Sequence, residues 1–132
     1  MDEALMRQEV AEQFGYLVAA LNSLDTAAWA EHYSRDGFVS AIVGTEYCAT
    51  RAAWIELIAG YFAQRESQHV EPRAVRVAVL GPTIALLTSE ELGLMRLRSC
   101  DEIRSQHVFT MVWQREAAGW KIVQSHESWV DA

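Results

Sequence analysis

Few side chains in this sequence can move a proton at neutral pH: four histidines (His32, His69, His107 and His126) set among 18 carboxylates. The pairing with the most chemical content lies near the C-terminus. Glu116-Ala117-Ala118-Gly119 suits a type I turn followed by Gly119 in the left-handed conformation, joining a strand from Gln106 to Arg115 to one from Trp120 to Val130. Such a hairpin pairs Glu116 with Trp120, and hence Trp113 with Val123, Met111 with Ser125 and Phe109 with Glu127. Glu127 then has His107 as a diagonal neighbour, roughly 7–8 Å away between backbones. A carboxylate beside an imidazole is the usual equipment for general acid–base chemistry. Other chemistries lack their motifs. The histidines are isolated, with no HxH or HxxxH spacing and no cysteine cluster, so no metal is expected. A nucleophile elbow, a phosphate-cradling glycine loop and a dinucleotide fingerprint are also missing, so no cofactor is expected.

The elements that must position these groups follow from periodicity. Met6, Val10, Phe14, Leu17, Leu21 and Leu24 recur in steps of three and four, which marks one face of a helix from about Asp2 to Leu24. Asp25 is the expected N-cap of a second, short helix from Thr26 through Tyr33. Phe38 to Val43 reads as a strand and Gly44 to Ala49 as a loop. Thr50 caps a third helix whose apolar face carries Trp54, Ile58, Tyr61 and Phe62. After Gln64 the period becomes alternating: Val75, Val77 and Val79 share a strand face that ends at Gly81-Pro82. A long strand from Ile84 to Leu97 follows, turned by Ser99 to Glu102, and then the hairpin. Helices first and an antiparallel meander after them give an α+β order in one domain, 1–132.

Bulk properties narrow the partners. A net charge of −7 argues against nucleic acid and anionic membranes, which reward clustered Lys and Arg. The acidic Met1-Asp2-Glu3 start carries no readable signal peptide, and no run approaches the roughly 18 apolar residues of a membrane span. Cys48 and Cys100 sit outside any CxxC pattern and read as two reduced thiols, which fits a cytoplasmic protein.

Val112-Trp113-Gln114-Arg115, then Gly119-Trp120-Lys121-Ile122-Val123, then Ser125-His126-Glu127-Ser128, resembles the SnoaL-like branch of the nuclear-transport-factor-like superfamily. Within it, the ending is similar to the association domain of calcium/calmodulin-dependent protein kinases, which has a Thr-x-Val-Trp strand before a Gly-x-Trp-x-Ile-Val strand ending in His-x-Ser. Gly81-Pro82-Thr83-Ile84-Ala85 matches a turn in that domain, and the two patterns align without a gap from His69 to Ser128. The resemblance implies three helices on the concave face of a curved antiparallel sheet, a pocket between the layers, and a convex face that pairs with a second subunit. Three pocket arginines of the association domain correspond to Glu91, Met111 and Glu127. Pocket facing then extends by alternation to Leu87, Ser89, His107, Phe109, Trp113, Val123, Ser125 and Trp129.

On that reading Glu91, His107 and Glu127 converge on one wall, and carboxylates where relatives carry arginines favour cationic, amine or hydroxyl-rich ligands. Trp29, Tyr33 and Trp54 face the sheet from the helices and complete the candidate binding set of Ser89, Glu91, His107, Phe109, Met111, Ser125, Glu127 and Trp129. Thr110, Trp120, Ile122, Gln124 and His126 fall on the convex side, the expected interface of a homodimer. Plain structural roles stay open for the same residues: Glu127 solvated at a strand end, Glu91 paired with Arg73 or Arg76, His107 satisfied by a carbonyl. Ketosteroid isomerases share the implied fold, but their two catalytic acids correspond to Ala41 and Phe109 and their helix-one tyrosine to Leu17, beside Tyr16. Steroid isomerisation is therefore not expected. Three functions remain: a pocket binding a small, mostly apolar molecule with a polar or cationic end, an isomerase or dehydratase using Glu127 or Glu91 with His107, and a dimerisation module with a vestigial cavity.

Overall fold

The computed structural model describes residues 2–132; Met1, the first residue of the acidic start, lies outside them. Helix α1 (Glu3–Asn22) begins where Asp2 accepts hydrogen bonds from the Ala4 and Leu5 amides at 2.9 and 3.3 Å. Its buried stripe is Met6, Val10, Phe14 and Leu17, as the periodicity predicts. Helix α2 (Thr26–Ala30) is capped by Asp25 but stops three residues short of the expected Tyr33. The chain leaves the helix there to run beside the last strand: the Ile122 amide donates to the His32 carbonyl at 2.7 Å, and the Ser34 amide to Ile122 at 2.9 Å. Strand β1 (Ser40–Val43) starts two residues later than expected, and β2 (Glu46–Cys48) lies within the expected loop from Gly44 to Ala49. Helix α3 (Arg51–Ala63) carries the predicted Thr50 cap.

The remaining strands are β3 (Arg65–Gly81), β4 (Ile84–Leu97), β5 (Glu102–Glu116) and β6 (Gly119–Asp131). They form one six-stranded sheet in the order β2-β1-β6-β5-β4-β3, antiparallel throughout except for the parallel β1–β6 pair. Register shifts in β3 beside Ser67, Pro72 and Val79 bend that long strand, since an unpaired residue kinks a ladder and increases its twist. The three helices cover the concave face, and the core between the layers is strongly aromatic: Trp29 lies 5.0 Å from Tyr33, 5.9 Å from Trp54 and 6.0 Å from Phe62 between ring centroids.

One feature of β6 corrects the expected facing. The hairpin pairs Glu116 with Gly119 and Trp113 with Ile122, one step tighter than read from the sequence. A bulge at Val123 then restores Val112 to Gln124, Met111 to Ser125 and Phe109 to Glu127. Two consecutive residues, Ile122 and Val123, are therefore buried. Trp120 and Ile122, expected on the convex side, instead point into the core, 6% and 0% exposed. Thr110 and His126 are exposed on the outer face and Gln124 is half-buried there. Val123 is buried as the surplus residue of the bulge.

Candidate functional site

The inner sheet face is built in rows. Ser89, Phe109, Glu127 and Val43 lie side by side across β4, β5, β6 and β1; Glu91, His107 and Trp129 form the next row. Leu87, Met111, Ser125 and Ala41 form the row before, deeper under the helices. Where the first two rows reach the C-terminal ends of α1 and α3, a cavity of about 40 Å³ opens, room for a few waters. Its lining comes from every layer: Leu21, Trp29, Ile58, Tyr61 and Phe62 from the helices, Val43, Arg65, Gln68 and Val70 from β1 and β3, and His107, Phe109, Glu127 and Trp129 from β5 and β6.

His107 is held on three sides. Its Nε2 lies 2.6 Å from the Ser105 hydroxyl, its ring stacks on Trp129 at 5.9 Å and 21°, and Phe109 meets it edge-on at 6.2 Å. Nδ1 is buried without a hydrogen-bond partner among the described residues. Burial, helped by the Arg65 charge, lowers its pKa to about 4, so the ring is neutral at physiological pH. Gly93 makes this arrangement possible: a Cβ there would sit 2.5 Å from the Ser105 hydroxyl and 2.7 Å from His107 Nε2.

Glu127 lines the cavity and is half-buried. Burial raises its carboxyl to about 7; Arg65 works against the shift and Glu91 adds to it. Glu91 faces inward directly opposite His107, as alternation predicts, yet it is 0% exposed and does not line the cavity. Burial raises it also to about 7, the Ser89 side chain easing and the Glu90 charge reinforcing that shift. Neither of its oxygens, nor the Ser89 hydroxyl, has a hydrogen-bond partner among the described residues.

Of the binding residues expected from sequence, the structure brings Trp29, His107, Phe109, Glu127 and Trp129 to the cavity. Tyr33, Trp54, Ser89, Glu91, Met111 and Ser125 are buried but do not line it. Tyr33 hydroxyl and Ser125 hydroxyl instead meet each other at 3.3 Å. The expected preference for cations rested on two carboxylates in the cavity; one is walled off, and an unforeseen cation, Arg65, stands there. Arg65 donates to Gln68 Oε1, and its guanidinium lies 5.6 Å from the Tyr61 ring centroid. Gln68 in turn donates to the Leu21 carbonyl at 3.0 Å. Alternation could not find this pair, because the register shift between Arg65 and Ser67 breaks parity at the start of β3. Among the described residues no three His, Cys, Asp or Glu side chains converge as a metal site, and no helix is long and apolar enough to cross a membrane.

Helices laid on a curved, mainly antiparallel sheet, with a small cavity between the layers, define an α+β fold of the NTF2-like, cystatin-like kind. More narrowly, the chain belongs to the SnoaL-like domain family, whose profile matches residues 10–132. Solved structures agree on the fold. A candidate dehydratase of the NTF2-like family from Streptomyces avermitilis superposes with a TM-score of 0.87 at 22% identity, covering 99% of this chain and 100% of that one. A candidate calcium/calmodulin-dependent protein kinase II association domain from Xanthomonas campestris gives 0.77 at 20%, covering 91% and 84%. A candidate scytalone dehydratase from Novosphingobium aromaticivorans gives 0.82 at 11%, covering 95% and 86%. Among curated protein sequences none matches this chain.

Proposed function

We propose that the cavity binds a small, mostly apolar molecule by its polar end. One observation carries this reading: Arg65, Gln68, His107 and Glu127 gather at a single cavity whose other walls are Trp29, Phe62, Phe109 and Trp129. Ligand sites typically combine an apolar lining with a few placed polar groups. The half-buried Tyr61, Arg65, Glu127 and Trp129 form the rim, and a ligand larger than a few waters enters by displacing them. The test is a thermal-shift panel of small aromatic and alicyclic compounds. A true ligand at a hundredfold excess over its Kd adds about 2.7 kcal/mol to stability. A panel without any rise in Tm points to the vestigial cavity of a dimerisation module.

A second reading is supported by the state of Glu127. A carboxyl at about 7 accepts a proton efficiently at neutral pH, and the neutral His107 on the diagonal donates a hydrogen bond from its N–H. Together they suit an isomerase or dehydratase step that removes a proton beside a carbonyl. Glu91, shut out of the cavity, has no part in it. On this reading Glu127→Gln lowers kcat by 10²-fold or more without lowering Tm, the loss expected of a general base; equal kcat in both proteins refutes it.

We further propose a two-fold homodimer through the outer sheet face, around Thr110, Gln124 and His126. Val108 and Leu92, diagonal neighbours on that face, are 49% and 39% exposed and offer apolar surface to a partner. Light scattering decides the point, a monomer mass at micromolar concentration being the adverse result.

A further inference from the structure

Resting on the ligand-binding reading above, we propose that the polar end of the ligand is a carboxylate or a similar planar oxyanion seated on Arg65, with Glu127 as its internal competitor. The starting observation is the state of the guanidinium. Arg65 is half-buried at the cavity, its Nη1 held by Gln68 and its face set against Tyr61. Gln68, 6% exposed, is itself fixed by the Leu21 carbonyl, so the fork is held in place before any ligand arrives. Among the described residues Nε and Nη2 donate to no acceptor, and no carboxylate lies within ion-pair distance of the group. Those two nitrogens form the side-on edge of the guanidinium, which matches the two oxygens of a carboxylate. A partly desolvated, always-charged group with an unused edge is a receptor for an anion.

The neighbouring charges set the condition for that anion. Glu127 from β6 shares the cavity and interacts with Arg65 electrostatically without contacting it. From β5, His107 is neutral at physiological pH; from β4, Glu91 acts only from behind the wall. On the helix side Tyr61 engages Glu46 of β2 at 3.1 Å, while α1 and α2 bring the apolar Leu21 and Trp29. Glu127 is thus the one carboxylate lining the cavity beside the arginine. Ionised, it repels an acid ligand; protonated, it leaves the guanidinium to that ligand. Binding is therefore coupled to uptake of one proton. With the carboxyl at about 7, its protonated fraction falls from about 0.9 at pH 6 to about 0.1 at pH 8, so affinity for an acid changes by up to about tenfold.

Three probes of similar size separate the possibilities: phenylacetate, 2-phenylethanol and 2-phenylethylamine, titrated calorimetrically at pH 6 and pH 8. Phenylacetate stays ionised at both values. The expected result is that phenylacetate binds tightest of the three and about tenfold tighter at pH 6 than at pH 8. Glu127→Gln, isosteric and uncharged, binds it equally at both pH values and as tightly as the parent does at pH 6. Arg65→Lys weakens phenylacetate tenfold or more while changing 2-phenylethanol less than threefold. If the amine binds best, or if Arg65→Lys leaves phenylacetate unaffected, the oxyanion assignment falls and the ligand-binding reading survives. If none of the three binds at millimolar concentration while the protein remains folded by circular dichroism, both fall together.

Discussion

Glu91 offers a direct measure of what the inner sheet face costs the fold. Its carboxyl is 0% exposed, both oxygens lack partners, and burial holds it at about 7 instead of 4.5. The native state therefore keeps its proton between those two values while the unfolded chain has lost it. With fewer protons bound in the unfolded state, stability falls as pH rises through this window and levels off above 7. The full loss is about 3 kcal/mol, most of it between pH 5 and pH 8. Glu91→Gln keeps shape and burial but cannot ionise. Urea melts of both proteins at half-unit steps from pH 5 to pH 8 isolate the contribution of Glu91 together with its coupling to Glu127, the remaining titrating groups being common to the pair. The parent should lose about 2–3 kcal/mol more than the variant across this range. Parallel pH profiles would refute the reasoning, since they would mean that Glu91 titrates in the native state as it does in the unfolded chain.

Other consequences are equally measurable. Gly93→Ala drives a methyl into the Ser105–His107 pair and should destabilise by about 1–3 kcal/mol in chemical melts, with Ser105→Gly restoring part of the loss. Asp25→Ala removes the cap bond to the Ala28 amide and should lower stability by about 1 kcal/mol. Ile122→Asp should abolish folding, because that side chain is 0% exposed; a soluble, folded variant of altered mass would instead locate it on an interface.

How much of this was legible in the sequence depended on the kind of signal. The α1 stripe and the Asp25 and Thr50 caps could be read because helical period and cap chemistry are local. The bounds of β4 were legible for a similar reason, with Pro82 before them and a polar turn after. The pairing of Phe109 with Glu127 also emerged correctly, but through two offsetting departures. The turn closes one step tighter than expected, and the bulge at Val123 takes up the difference. No periodicity reports such a bulge, so Trp120 and Ile122 were read on the wrong side. The approach of Arg65 to the cavity was hidden similarly, behind a register shift and a contact between elements far apart in sequence. Glu91 shows the limit of alternation itself. Facing was predictable, but whether an inward side chain meets a cavity or packed neighbours depends on the helices above it.

The surplus residue in β6 divides one strand into two halves of different register. The half next to the turn takes its alignment from the hairpin and from the His32–Ser34 segment that bonds Ile122, whereas Ser125 and Glu127 are gripped by β1, whose Ala41 and Val43 run parallel to them. Lengthening the tip at Ala117-Ala118, by grafting a tag or an epitope, should consequently be absorbed before it reaches the cavity. That tip is where the molecule can be handled without disturbing its chemistry.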